Sequence, residues 1–258
     1  MAPLVKELES RTEIQSICCI TAQHRQMLDD VLGLFAITPD YDLDIMEDRQ
    51  SLYTITSKCL LGLEQVFSRE KPDLVLVHGD TSTTFSGALA AFYQKIAVGH
   101  VEAGLRTWDR YSPFPEEMNR TLVGDLATFH FCPTPANRDN LLQEGIRDGI
   151  FVTGNTVIDA LKTTVQPAYR FRTDLLNTLD YAGKRVILVT CHRRENYGQP
   201  MENIMGALRR LVEDFPEVEL VYPVHLSPAV QEVAQRHLSN HERIHLIPPL
   251  TPDEMHNL

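Results

Sequence analysis

The feature that most constrains the fold is an uninterrupted apolar run at residues 74–77, which ends in the polar residues His78, Gly79 and Asp80. Such a run is typical of a strand buried on both faces, as in a parallel sheet. Residues 82–95 begin with hydroxyl side chains and carry small residues along one side, which predicts a helix. Residues 97–101 form a second apolar run. The stretch therefore predicts a βαβ unit with a right-handed crossover.

One carboxylate follows each strand of this unit. Asp80 comes after the first strand and Glu102 directly after the second. Parallel strands end at the same edge of a sheet, and open α/β sheets bind ligands at that edge. Both residues are therefore candidates for chemistry. The sequence leaves two simpler interpretations open, because Asp80 could cap the helix that follows it and Glu102 could be a solvated loop residue.

Strand-like and helix-like segments alternate along the rest of the chain, from a predicted strand at residues 14–20 to another at residues 244–247. This alternation predicts an α/β fold with parallel sheets. The pattern becomes polar and loses its period between residues 166 and 184. We therefore predict a Rossmann-like domain at residues 1–165, a linker at residues 166–184, and a second Rossmann-like domain at residues 185–258.

The two ends of the chain suggest that both domains are incomplete. Residues 2–8 read as a helix with no strand before it, and residues 252–258 read as the beginning of another helix. An α/β domain normally starts with a strand. We therefore expect the first domain to lack its first strand and the second domain to lack its second half.

Composition excludes several classes of function. The net charge of −11 argues against nucleic-acid binding, which needs a basic surface. No apolar run is long enough to cross a bilayer, and no cleavable leader is visible, so we expect no membrane partner. The five cysteines lack metal-site spacing, which indicates a reduced, cytoplasmic protein with no metal site.

Further polar clusters follow other predicted elements. A predicted helix at residues 113–127 carries Glu116 and Glu117 in its first turn, where carboxylates can simply favour the helix dipole. His192 and Arg193 follow an apolar run in the second domain, and His225 follows the next one. Basic groups at that edge are as consistent with an anion site as with exposed loop residues. The residues alone therefore predict a cleft with acidic and basic groups for a phosphorylated small molecule.

Seven sequence motifs are together specific enough to indicate a resemblance to one protein family. They are TAQHRQML at residues 21–28, HGDTSTT, GHVEAGLRT, YSPFPEEMNR, VTGNTVIDAL, CHRRENYG and VYPVH. In this order and spacing they resemble the non-hydrolysing UDP-N-acetylglucosamine 2-epimerases of bacteria, over essentially the whole chain. The resemblance implies two Rossmann-like domains in a GT-B arrangement around a deep cleft, with no cofactor.

The resemblance also implies a reaction. It is the reversible inversion at C2 that interconverts UDP-N-acetylglucosamine and UDP-N-acetylmannosamine, through elimination and re-addition of UDP, for the synthesis of cell-surface polysaccharide. Asp80, Glu102 and Glu116 match the catalytic acidic residues of the family, and His192 matches a histidine near the diphosphate. Substrate binding is the expected role of the remaining basic groups at these edges, which are Arg120, Arg193 and His225.

Bacterial members bind a second substrate molecule as an allosteric activator. Gln23, Gln26 and Arg49 match residues of that site. Without the resemblance they would read as ordinary polar groups on a helix and a loop. The resemblance further implies a homodimer through the first domain in the full-length form.

Two family segments have no counterpart here. The family pattern begins with a strand and a GTRPEAIK loop that binds phosphate, and it includes a DSGGxQEE segment that holds the diphosphate and the ribose. We therefore expect the chain as given to bind UDP weakly and to turn over little or nothing. Three alternatives stay open: a GT-B glycosyltransferase, a hydrolysing 2-epimerase, and a non-catalytic nucleotide-sugar binding protein.

Overall fold

A computed structural model of the chain describes residues 1–22, 25–47, 50–193 and 196–258, without the side chains of Gln26 and Met27. The contacts divide the chain into two compact units, Met1–Thr163 and Thr164–Leu258. All pairs of neighbouring strands are parallel. The predicted α/β class with parallel sheets is therefore confirmed.

The first unit alternates strands and helices along its whole length. In chain order its elements are α1 (Ala2–Glu9), β1 (Cys19–Ile20), α2 (Arg25–Leu34), β2 (Tyr41–Asp42), α3 (Leu52–Glu70), β3 (Leu74–His78), α4 (Ser82–Tyr93), β4 (Ala97–Val101), α5 (Glu116–Leu126), β5 (Phe129–Cys132), α6 (Pro135–Gln143), β6 (Ile150–Val152) and α7 (Thr156–Thr164).

The sheet of the first unit has the strand order β3-β4-β5-β6, and β1 and β2 form a separate pair. β3 and β4 lie in register from Leu74 opposite Ala97 to His78 opposite Val101. The two strands of the predicted βαβ unit are thus direct neighbours, as expected. Their ends lie side by side, which places the residues after His78 and after Val101 at one edge of the sheet.

Small residues let α4 lie close against this sheet. Ala88 and Ala91 are fully buried in a core with Val77 and Val98. A Cβ atom added at Gly87 would lie 3.1 Å from the Cγ1 of Val77. Interiors packed this densely tolerate added volume poorly. The close approach fixes the start of α4 relative to the end of β3, where the candidate site begins.

The predicted strand at residues 14–20 is wrong in extent, since β1 covers only Cys19–Ile20. Ile14 is exposed and closes a turn by donating its backbone N–H to the carbonyl of Arg11. The backbone N–H of Cys18 donates to the side chain of Asp40 and not to a neighbouring strand. Apolar composition favoured a strand here, but Ile14 is bonded locally and the N–H of Cys18 is bonded to a side chain, so strand pairing begins only at Cys19.

The second unit has its own three-stranded sheet in the order β7-β8-β9. Its elements are a short 3₁₀ helix (Asp174–Asn177), β7 (Arg185–Leu188), α8 (Gln199–Asp214), β8 (Val218–Pro223), α9 (Pro228–Leu238), β9 (Ile244–Ile247) and α10 (Pro252–Asn257).

The core of the second unit lies between its sheet and its two long helices. Met201 and Met205 of α8 and Leu220 of β8 are fully buried in this core. Residues 166–184, the predicted linker, lie in this unit, and Leu176 within them packs on Val221. None of the helices in the described part of the chain is long and apolar enough to span a bilayer.

Candidate functional site

Asp80 is the first residue of the candidate site, and it does not cap α4. The cap is Thr81, whose side chain accepts from the backbone N–H of Thr84 at 3.3 Å. The carboxylate of Asp80 instead accepts from Arg120, at 3.0 Å from Nε and 2.6 Å from Nη2. Such charge-assisted bonds are stronger than neutral ones. The capping interpretation of Asp80 is therefore wrong.

The backbone around Asp80 is held by three further contacts. The backbone N–H of Gly79 donates to the carbonyl of Val101 at 3.0 Å. The side chain of Asn119 donates to the carbonyl of Asp80 at 2.8 Å. The carbonyl of Gly79 lies 2.8 Å from the Nε2 of His100. These bonds fix the position of Asp80 from β4 and from α5.

His100 is neutral in this site. Its ring is 1% exposed, and burial lowers its pKa from 6.5 to about 4. A carbonyl can only accept, so the hydrogen of the neutral ring lies on Nε2 and is donated to Gly79. The Nδ1 atoms of His100 and of its neighbour His130 have no hydrogen-bond partner among the described residues.

Glu102 lies at the end of β4 in a strained backbone conformation. Its φ is +66°, a region that costs a residue other than glycine about 1–3 kcal/mol. Its Oε2 atom lies 3.1 Å from the Nε2 of His78. The hydrogen bond from His78 lowers the pKa of Glu102, burial opposes this, and the charges of His78 and Arg120 lower the pKa further. Glu102 is therefore an ionised carboxylate able to accept a proton.

The paired glutamates of α5 differ in their surroundings. Glu117 is only 3% exposed, and its Oε1 accepts from the backbone N–H groups of Thr107 and Trp108, both at 2.9 Å. Its Oε2 accepts from the Nη1 of Arg120 at 3.0 Å. Burial acts to raise its pKa, but these hydrogen bonds outweigh burial and lower the pKa overall. Glu117 is thus held as a buried, fully bonded anion.

Glu116 is half-buried, and its side chain makes no hydrogen bond or ion pair with any residue that the structure describes. α5 begins at Glu116 and not at the predicted residue 113, because Pro115 lies outside the helical turn at the N-cap. Within the predicted acidic set, Asp80 bonds to Arg120 and Glu102 pairs with His78, while the carboxylate of Glu116 has no such partner among the described residues.

The structure therefore brings Asp80, Glu102 and Arg120 together at the ends of β3 and β4. We call Asp80, Glu102, Glu117, Arg120 and His78 the acid cluster. Sequence reasoning did not assign His78, His100, Glu117 or Asn119. The available signals were the position of His78 two residues before Asp80 in HGD and the EE pair two residues before Asn119 in EEMN.

The second unit contributes a histidine pair. His192 follows β7 and His225 follows β8, as predicted, and their rings stack at 5.6 Å between centroids with planes 16° apart. The Nδ1 of His225 accepts from the backbone N–H of Ser227 at 3.1 Å. The buried hydroxyl of Tyr222 donates to the carbonyl of Cys191 at 2.6 Å and holds the segment that carries His192. Two imidazoles are thus exposed side by side at one sheet edge.

The remaining predicted site residues are less defined. Arg193 is exposed next to His192, and its side chain makes no hydrogen bond or ion pair within the described chain. Gln23 and Arg49 lie outside the described residues, and so does the side chain of Gln26, which belongs to α2. In the described ranges, no three His, Cys, Asp or Glu residues are grouped so that they could hold a metal ion.

Comparisons with known proteins agree with the sequence motifs. The sequence model of UDP-N-acetylglucosamine 2-epimerase matches residues 6–258. The UDP-N-acetylglucosamine 2-epimerase of Bacillus subtilis is 56% identical over 259 residues, which cover 100% of this chain and 67% of the relative. This chain thus spans about two thirds of the length of that relative.

Two solved structures are similar over nearly the whole chain. The structure of S. aureus MnaA with UDP has a TM-score of 0.89 and 53% identity, covering 99% of this chain and 67% of that one. The UDP-GlcNAc 2-epimerase of Neisseria meningitidis, bound to UDP-GlcNAc, has a TM-score of 0.89 and 46% identity, covering 99% and 70%. On the family match and these similarities, the chain belongs to the UDP-N-acetylglucosamine 2-epimerase family.

Proposed function

We propose that this protein interconverts UDP-N-acetylglucosamine and UDP-N-acetylmannosamine by inversion at C2, through elimination and re-addition of UDP. The observation that carries the proposal is the pair of carboxylates, Asp80 and Glu102, at the ends of neighbouring strands with Arg120 beside them. The names of its relatives support the same reaction, and the neighbours solved with UDP or UDP-GlcNAc support the same ligands.

The chemistry requires groups of this kind. The hydrogen at C2 is not next to a ring carbonyl, so it is weakly acidic and its removal needs a positioned base. Glu102, kept ionised by His78, suits that role. Return of a proton to the other face needs a second acid/base group, for which Asp80 and Glu116 are our candidates.

Departure of UDP needs positive charge or hydrogen-bond donors near the diphosphate. We propose His192, Arg193 and His225 for this role. The stacked rings of the two histidines, exposed at the carboxyl edge of a parallel sheet, support the assignment. Arg120 is engaged by Asp80 and Glu117, so its proposed part is to orient carboxylates and not to bind phosphate.

Exchange of the C2 hydrogen with solvent tests the reaction. A full-length form of the protein, in stoichiometric amounts, is incubated with UDP-N-acetylglucosamine in deuterated water, and the sugar is followed by NMR. We expect deuterium at C2 and the appearance of UDP-N-acetylmannosamine without any acceptor. Free N-acetylmannosamine with UDP would indicate the hydrolysing epimerase. No exchange, with or without binding of the nucleotide sugar, would overturn the proposal in favour of a transferase or a binding protein.

We also propose the allosteric substrate site at Gln23, Gln26 and Arg49, supported by the TAQHRQML motif. The double variant Gln26→Ala, Arg49→Ala should abolish the substrate dependence of UDP-N-acetylmannosamine conversion in a full-length form. Unchanged substrate dependence would refute this site.

A cytoplasmic protein without nucleic-acid or membrane partners is the setting we propose, in keeping with the net charge of −11. A homodimer through the first unit completes the proposal. Large apolar side chains exposed on α3 and α4 support it, including Tyr53 at 88% exposure. Sedimentation of the full-length form should show a dimer, and Tyr53→Glu should weaken it. A monomer at all concentrations would refute the dimer.

A further inference from the structure

We propose that Glu117 is a positioning residue that ties the loop carrying Asp80 to the segment that follows Glu102. The inference rests on the proposed function, because it assigns a role beside the proposed acids. Glu117 is buried, and both oxygens of its carboxylate accept hydrogen bonds from protein groups. It acts through one arm to the backbone after β4 and through a second arm to Arg120.

The first arm fixes the segment after β4. The Oε1 atom of Glu117 accepts from two consecutive backbone N–H groups, those of Thr107 and Trp108, both at 2.9 Å. Trp108 has a φ of +65°, and the side chain of Thr107 donates to the carbonyl of Ser112 at 2.5 Å. The turn that follows Glu102 by a few residues therefore closes on a single carboxylate oxygen.

The second arm reaches Asp80 through Arg120. The Nη1 of Arg120 donates to the other oxygen of Glu117 at 3.0 Å, while its Nε and Nη2 both donate to the Oδ2 of Asp80. The planar guanidinium presents its donors in a fixed fork. Because the guanidinium is rigid, the bond from Nη1 to Glu117 also sets the direction in which Nε and Nη2 point toward Asp80.

The charged groups around Glu117 come from three elements. Its own helix supplies Glu116 and Arg120, and the end of β3 with the loop after it supplies His78 and Asp80. The segment after β4 supplies Glu102, Arg106, Asp109 and Arg110. α4 packs against α5 but carries no charged side chain. Arg120 is the cation shared by Glu117 and Asp80, so a change at Glu117 is felt at Asp80.

Two substitutions separate the arms. In Glu117→Gln the amide oxygen can still accept from Thr107 and Trp108, but the NH₂ group would face the N–H donors of Arg120. In Glu117→Ala both arms are lost. Asp125→Asn is the matched control, because Asp125 is exposed on the same helix and its side chain makes no hydrogen bond or ion pair in the described chain.

A double-mutant cycle tests the link from Glu117 through Arg120 to Asp80 without relying on activity. Unfolding free energies are measured for Glu117→Gln, Asp80→Asn and the double variant, and the cycle is repeated with Asp125→Asn in place of Glu117→Gln. Glu117 and Asp80 share Arg120 as a hydrogen-bond partner, so we expect substitutions at the two carboxylates to be coupled. We expect non-additive effects in the first cycle and additive ones in the second. Additive effects in the first cycle would overturn the proposal.

Trp108 reports the first arm, because it is the single tryptophan of the chain. Its emission and the exchange rate of its amide hydrogen should change in Glu117→Ala and stay close to wild type in Glu117→Gln. Unchanged emission and amide exchange of Trp108 in Glu117→Ala would also overturn the proposal.

Activity separates positioning from a purely structural role. We expect Glu117→Gln to lower kcat by roughly 10²-fold, the loss typical of a misplaced catalytic group, with KM little changed. The acid limb of the kcat/KM profile should shift as well. Wild-type kcat and profile in Glu117→Gln would refute the role. Absence of C2 exchange in the wild-type protein would instead refute the proposed function. The double-mutant cycle and the Trp108 signals would still test the positioning role of Glu117.

Discussion

The side chains of His78 and Glu102 meet across the ends of β3 and β4, with 3.1 Å between Nε2 and Oε2. His78 is the last residue of β3, and Glu102 follows the last residue of β4. Register between the strands places the two residues side by side. The contact keeps the Glu102 carboxylate charged at an edge of the sheet that is partly shielded from water.

Replacing His78 should move the pH dependence of activity. The hydrogen bond from His78 is the largest influence that lowers the pKa of Glu102. In His78→Phe we therefore expect this pKa to rise, and the acid limb of kcat/KM for C2 exchange should move to higher pH. A pH series of initial rates measures the shift. An acid limb at the wild-type position would show that Glu102 is not the titrating base.

Asp80→Asn should impair chemistry far more than ligand binding. The substitution removes a proposed acid/base group, whose loss typically costs about 10²–10⁴-fold in rate. It also leaves the Nε and Nη2 of Arg120 facing a weaker acceptor. C2 exchange measures the rate, and calorimetry with UDP measures binding. Near-normal exchange by this variant would remove Asp80 from the mechanism.

The buried His100 should make stability fall on mild acidification. Its pKa is lowered from 6.5 to about 4, so between these values the unfolded chain binds a proton that the folded protein does not. The contribution of His100 to the free energy of unfolding is fully present above pH 6.5 and is lost as the pH falls toward 4. The shift corresponds to about 3 kcal/mol.

Urea unfolding across that pH window measures the effect. His100→Gln should flatten the pH dependence, and His130, whose pKa is also lowered by burial, should account for part of what remains. His241→Gln serves as the control, because His241 precedes β9 and is less buried. If the free energy of unfolding depended on pH equally in the wild type and in His100→Gln, the lowered pKa of His100 would be contradicted.

The stacked histidines of the second unit should contribute to UDP affinity. His192→Ala and His225→Ala each remove one imidazole from the exposed pair. Loss of one charge-assisted hydrogen bond to phosphate is worth about 1.5–3 kcal/mol, so we expect about a tenfold or greater increase in the Kd for UDP. His241→Gln is again the control, since it lies at the opposite edge of the same sheet. Unchanged affinity in both alanine variants would exclude the pair from the diphosphate site.

Elements with an uninterrupted pattern of apolar or small residues could be predicted from the sequence. The apolar runs at β3 and β4 and the small residues of α4 gave the βαβ unit, because burial on both faces leaves few alternatives. The strand predicted at residues 14–20 was too long, since side-chain hydrogen bonding by Asp40 is invisible in a hydrophobic pattern.

The partners of the acids were harder to predict. Asp80 reads as a helix cap because it immediately precedes Thr81, and its actual partner Arg120 lies 40 positions away. Glu116 and Glu117 are adjacent, and successive helical residues point about 100° apart, so the helix register decides which one is buried. The predicted start of α5 was three residues early, which left that choice open.

Solvent exchange at C2 of UDP-N-acetylglucosamine, followed by NMR in deuterated water, tests the central claim most directly. We expect deuterium to enter at C2 with a full-length wild-type form, and Glu102→Gln and Asp80→Asn in that form to suppress it while the folded state persists. Exchange that persists undiminished in both variants, or no exchange in the wild type, would contradict the role of the acid cluster.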